Sequence, residues 1–206
     1  MDAIALLRED HIKILAMLDE LETKGRSATP QDNADRKRLV TELVMAESAH
    51  EAIEEQFFWP SVQHWLEEGR RLAGPALEQE QAAKRVLQEL DKLEPDDPAF
   101  ETLVARVIAD AREHIAYEER EVWPSVQRIA RSELEQIGKK MAIAKKAAPT
   151  RPHPHTPPKP GVLKTAGMAA AAVDKMRDAA TGRGEDSGYY RRSSCLRRVH
   201  TSRPGG

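Results

Sequence analysis

The apolar positions of this chain fall into stripes that step by three and four residues, the spacing that lines up side chains on one face of an α-helix. The first stripe is Ile4, Leu7, His11, Ile14, Leu18 and Leu21, and "KGRSATPQDN" ends it with Gly, Pro and turn formers. The second runs through Leu39, Leu43, Ala46, His50, Ile53 and Phe57, with Asp32 or Asn33 as its cap and Pro60 as the residue that kinks or ends it. A third helix is predicted from about Pro75, through Leu77, Glu80, Leu87 and Leu90. The fourth follows the cap and first-turn pair Asp97–Pro98 and carries Phe100, Leu103, Val107, His114 and Tyr117 before Pro124. Four amphipathic helices on short connections predict an all-α, up-down-up-down four-helix bundle. A short fifth helix, "SELEQIGKKMAIAKK", is expected to pack across one end.

Past Ala148 the pattern changes, so residues 1–147 are read as one domain and 148–206 as a tail. "PTRPHPHTPPKPG" is a proline-rich spacer, expected to be extended and unpacked. The Ala-rich, weakly amphipathic segment 162–180 and a basic end of low hydrophobicity follow, and most of the tail is expected to be disordered. Charge divides at the same place: from Lys145 onward there are 13 basic residues against 4 acidic ones, and before it 19 against 30. An acidic body is a poor nucleic-acid binder, although the tail's arginines could touch an anionic surface. The longest apolar run, "MAAAAV", is too short to cross a membrane, and "MDAIALLRED" lacks a basic-then-apolar leader, so a cytoplasmic protein is expected. One cysteine, Cys195, allows neither an internal disulfide nor a Cys-based metal site.

The chemistry lies in the residues that interrupt the stripes. His11, His50 and His114 stand where a core Leu is expected, and Glu54 and Glu118 follow the last two by four residues, on the same face. The stretch "HEAIEEQFFWPSVQ" from His50 returns as "HIAYEEREVWPSVQ" from His114. "HIKILAMLDEL" from His11 aligns in the same way with "EQAAKRVLQEL", which puts Glu80 in the place of His11. A duplicated helix pair therefore supplies one ligand from its first helix and a His-x-x-x-Glu from its second, twice over. Burying so many ionisable groups is tolerable if something positive sits among them. Two iron ions meet that need, since imidazole and carboxylate both ligate iron and a bridging carboxylate holds a metal pair together.

At "DHIKILAMLDEL", "HEAIEEQFFWP" and "HIAYEEREVWP" the chain resembles the hemerythrin-like family of HHE cation-binding bundles, over about residues 1–145. The "RPHPHTPP" spacer and Ala-rich tail resemble those that follow this domain in actinobacterial relatives. The resemblance implies a pair of oxo- or hydroxo-bridged iron ions held by His11, His50, Glu54, His114 and Glu118, with Glu54 and Glu118 as the bridges. It also implies reaction with O2, hydrogen peroxide or NO. Family members usually have His where this chain has Glu80. A third anionic ligand favours the ferric pair and shifts the expectation from oxygen carriage towards catalase-like peroxide dismutation. An oxygen or iron sensor or carrier, and an empty scaffold, are the competing readings.

Around this set, Glu51 is a reserve ligand, while Glu55 and Glu119 read as surface charge or support for the ligands. Tyr117 packs, or offers a phenol proton to the bound small molecule as a catalytic group. Asp110 is a candidate to orient His114, and Trp59 and Trp123 read as plugs at the end of the core. His64 is expected on the surface, and His153 and His155 in the spacer. "HEAIE" lacks the second histidine of a zinc-protease motif, and "HIAYE" lacks its general-base glutamate.

Overall fold

The computed structural model describes residues 1–24, 29–155 and 168–183, and all the regular structure among them is helical. Helix α1 spans Ala3–Lys24, α2 Pro30–Ile53, α3 Trp59–Trp65, α4 Gly69–Leu90 and α5 Phe100–Tyr117. Then come α6 (Trp123–Val126), α7 (Arg131–Lys145) and α8 (Met168–Thr181). Helices α1 and α4 each pack on both α2 and α5, which closes a four-helix bundle. The expected cap of α2 lies earlier than Asp32 or Asn33. Thr29 takes that place, its hydroxyl accepting the Asp32 amide at 3.2 Å with Pro30 in the first turn.

Helix α4 also begins earlier than its stripe predicts, at Gly69, with Pro75 exposed inside it. The start is set by a close approach: a Cβ on Gly69 would stand 2.2 Å from the Val62 carbonyl oxygen of α3. Gly138 plays the same part in α7, where a Cβ would meet Asp2 backbone at 2.6 Å. Without it α7 could not lie on α1, where Leu134, Ile137 and Met141 are buried.

Pro60 and Pro124 stand second in α3 and α6 rather than at the end of a helix. Each is preceded by one π turn, Glu54–Phe58 and Glu118–Val122, in which the Trp59 and Trp123 amides reach back to the Glu54 and Glu118 carbonyls. Proline is harmful in a helix interior because it lacks a donor and crowds the carbonyl four residues back. The widened turn lets a new helix start with proline in its first turn. The wider turn also rotates the register. The stripe puts Phe57 inward, but Phe58 is buried and Phe57 is only half-buried.

Two apolar clusters fill the bundle. One, around Trp59, Trp123, Phe58 and Leu7, receives α7; the other, around Leu18, Leu43, Leu87 and Phe100, lies at the far end. The polar residues of the stripes fall between them. The tail begins differently from an extended, unpacked spacer: Thr150 and Arg151 donate backbone amides to Asp174 of α8, each at 3.2 Å. Asp174 also faces His153 Nε2 at 2.9 Å, and Arg151 pairs with Asp178. The basic end of the tail, with Cys195, lies outside the described residues. Among those described, no helix is long and apolar enough to cross a membrane.

Candidate metal centre

All six residues singled out in the stripes meet between the two apolar clusters. His11, His50, Glu54, Glu80, His114 and Glu118 are each no more than 8% exposed. They form two groups: His11, His50, Glu54 and Glu118, and then Glu54, Glu80, His114 and Glu118. Within each group one ligand atom per residue lies within 4.8 Å of the others. Glu54 and Glu118 belong to both. Each opens a π turn one helical turn after its histidine, so the duplicated "WPSVQ" and the duplicated carboxylates come from one local device.

The three imidazoles share one orientation. Nε2 of His11 lies 3.0 Å from Glu118, Nε2 of His50 3.3 Å from Glu54, and Nε2 of His114 3.7 Å from Glu118. Their Nδ1 atoms face outward. His11 Nδ1 is 3.0 Å from Glu119, and His114 Nδ1 is 3.1 Å from the Gln79 side-chain oxygen. His50 Nδ1 is 3.6 Å from Asp10, an ion-pair distance too long for a hydrogen bond. A proton held on Nδ1 leaves the Nε2 lone pair free for a cation.

Unsatisfied atoms test whether a cation fits. Nε2 of all three histidines, both oxygens of Glu54 and of Glu118, and Glu80 Oε2 are buried without a hydrogen-bond partner among the described residues. Buried polar atoms are almost always paired, and orphans of this number aimed at one spot describe a set of ligand lone pairs. Electrostatics agree. Burial pushes Glu54 and Glu80 well above the usual carboxylate range, helped by the charges of Glu118 and Glu80 at Glu54 and of Glu55 and Glu51 at Glu80. Burial also pushes Glu118 up, but His114, His11 and His50 outweigh it and bring it to about 2. Burial lowers His50 and His114, while Glu118 and Glu119 outweigh burial at His11 and raise it. The donor set of imidazole and carboxylate suits iron or another first-row divalent ion.

The supporting residues differ in part from those expected. Asp110 does not orient His114; it is half-exposed and pairs with Arg106 at 3.3 Å, and Gln79 holds the histidine instead. Tyr117 is not free to give its proton to a small molecule, because its hydroxyl donates to the Leu72 carbonyl at 2.9 Å and its ring packs in the Trp-containing cluster. Glu51 is buried beside the ligands but belongs to neither group. Glu55 is not surface charge: it pairs with buried Lys84 at 2.5 Å and accepts from Gln81. Asp10 went unread, though it sits beside His11 and is tied to Lys145 of α7. Burial pushes its carboxyl up, and His50 and Lys145 outweigh this and hold it at about 2. The tryptophans are more than plugs. Trp59 donates its indole N–H to Glu80, and Trp123 stacks on His11 with ring centroids 4.9 Å apart.

A four-helix bundle with an inward layer of histidines and shared carboxylates defines a class of cation-binding helical proteins. Residues 2–126 match the hemerythrin HHE cation binding domain, and the chain belongs to that family. It is 27% identical over 174 residues to an uncharacterized hemerythrin-like protein of Schizosaccharomyces pombe, covering 82% of each chain. Among solved structures it resembles a hemerythrin HHE cation binding domain-containing protein from Mycobacterium kansasii, with a TM-score of 0.59 and 21% identity. That likeness covers 84% of this chain and 99% of the other, and it shows a shared fold.

Proposed function

We propose that this chain is a non-haem diiron protein that reacts with O2, hydrogen peroxide or NO, and that its activity is dismutation of peroxide to water and oxygen. The observation that supports this most is the sharing of Glu54 and Glu118 between the two ligand groups, since shared carboxylates hold two cations close together. His11 and His50 would serve one ion and Glu80 and His114 the other, with Glu54 and Glu118 between them. Bound iron would supply a two-electron couple, reduced by one peroxide and reoxidised by a second. The chain's own contribution is orientation and charge. Glu119 and Gln79 fix two imidazoles through Nδ1, and Glu80 adds a third carboxylate that favours the ferric state.

A second reading, a sensor or carrier, draws on the docking of α8 beside the bundle. A cavity of about 280 Å³ between the body and the tail is lined by Glu55, Lys84 and His153, next to the bridge Glu54. The test loads the protein with iron, measures metal per chain and the charge-transfer absorption, and follows oxygen release on adding peroxide, beside Glu80→His. Two irons and oxygen release, abolished in Glu54→Ala, are expected. Two irons with reversible oxygen uptake and no release would favour the second reading. Iron-free, colourless protein would refute both.

A further inference from the structure

The six ligands do not exhaust the buried carboxyls. Helix α2 buries Glu47 and Glu51 as well, 6% and 2% exposed, one turn apart on one face. Neither belongs to a ligand group. Glu47 Oε1 and Glu51 Oε2 have no hydrogen-bond partner among the described residues. Both line a cavity of about 190 Å³ that runs between α4 and α5, with Glu80 and His114 at its inner end. Asp110 and Glu113 of α5 also line it, more exposed, and the guanidinium there, Arg106, is paired with Asp110. Apart from Gln79, its remaining walls are apolar, among them Ala83, Val86 and Ala111.

Walls of that kind would suffice for a neutral molecule. Two unpartnered carboxyls are a different matter, because each costs about 1–3 kcal/mol or more to bury. Carboxylates placed in succession from surface to ligands suit a divalent cation, which hard oxygen donors attract and release in turn. His11 and His50 do not line this cavity, so it opens on the Glu80–His114 half.

We propose that this cavity is the path by which ferrous ions enter, and that Glu47 and Glu51 pass them from Asp110 and Glu113 inward to Glu80. The proposal rests on the metal-centre reading and deepens it. The experiment mixes the full metal-free chain anaerobically with ferrous iron and follows the rate of uptake and the final iron content, in Glu47→Gln, Glu51→Gln and the double variant. Ala111→Phe, which narrows the passage without touching a carboxyl, is run beside them, with circular dichroism to confirm folding.

Uptake slowed about tenfold or more in the double variant, with final iron content unchanged, is the expected result. An unchanged rate would overturn the proposal. So would a fall in final iron, which would make these residues ligands rather than a passage, or slowing in Ala111→Phe alone, which would leave the carboxyls without a part. Failure of the unaltered chain to bind iron would sink the metal-centre reading itself, and that is read from content, not rate.

Discussion

Trp59 gives its indole proton to Glu80, and the two residues come from opposite halves of the duplication. The other tryptophan crosses over in the same way but with different chemistry. Trp123 lies flat on His11, with 10° between the rings, and its own Nε1 has no hydrogen-bond partner among the described residues. Where the first-helix ligand is an imidazole, the indole offers a face; where it is a carboxylate, the indole offers a proton. The change from His11 to Glu80 is thus matched by its neighbour.

Trp59→Phe keeps most of the ring volume but removes the N–H that orients Glu80. Iron affinity should fall roughly 10–100-fold, as for other groups that orient a ligand. Trp123→Phe keeps a ring against His11 and removes an unpaired donor, so its loss should be much smaller. Competition against a chelator of known strength measures both. Equal losses would mean that the tryptophans act through packing alone.

Glu54→Gln should have opposite effects on the metal-free and the iron-loaded protein. Without metal, Glu54 is a buried carboxyl crowded by Glu118 and Glu80, and a neutral amide removes that conflict. With iron, a bridge is gone and less metal binds. Thermal unfolding with and without iron should show a raised midpoint in the first case and a much smaller gain from iron in the second.

Most of this candidate centre was legible in the sequence because helical periodicity places side chains reliably: His50 and Glu54 must share a face whatever surrounds them. Glu80 was reached only through the alignment of the two helix pairs. What the pattern could not carry was the partner of each outer nitrogen. Gln79 holds His114 from a different helix, and Asp110, the nearer candidate in sequence, turns outward to Arg106. The π turns were missed because Pro60 reads as a break, whereas widening one turn accommodates it and moves Phe58 inward in place of Phe57. Lys84, in an apolar stripe, gave a sign of the buried pair with Glu55.

Glu47 sets a pH dependence on the metal-free protein. Burial raises its carboxyl from 4.5 to about 7. A raised acid binds its proton more tightly when folded, so its contribution to stability is full below 4.5 and is lost as pH rises to about 7. Glu51, Glu54 and Glu80, also raised, act in the same direction, whereas Asp10 and Glu118, held at about 2, act only in stronger acid. His50 and His114, lowered by burial, oppose this as pH rises towards 6.5, so denaturant unfolding of the metal-free chain from pH 5 to about 7 should show the carboxyls' fall set against that gain. In Glu47→Gln the fall should be shallower; an identical slope would place the protons elsewhere.

Asp174 is the residue on which the docking of α8 turns. It is fully buried and accepts two backbone amides, from Thr150 and Arg151, while facing His153. Burial alone would raise its carboxyl, but His153 and the amides outweigh this and lower it below 3.8. The docking it provides is therefore complete above that value and lost only as pH falls through a lower one. Asp174→Asn keeps the shape and one acceptor oxygen for the two amides but removes the negative charge that they and His153 face, at a cost of roughly 1–3 kcal/mol. Amide hydrogen exchange across 168–183 should accelerate by the matching factor, while α1, α2, α4 and α5 keep their protection. Iron content should not change, because among the described residues none of the six candidate ligands is hydrogen-bonded or ion-paired to the tail; a variant that lost iron would show that α8 helps to hold the centre together.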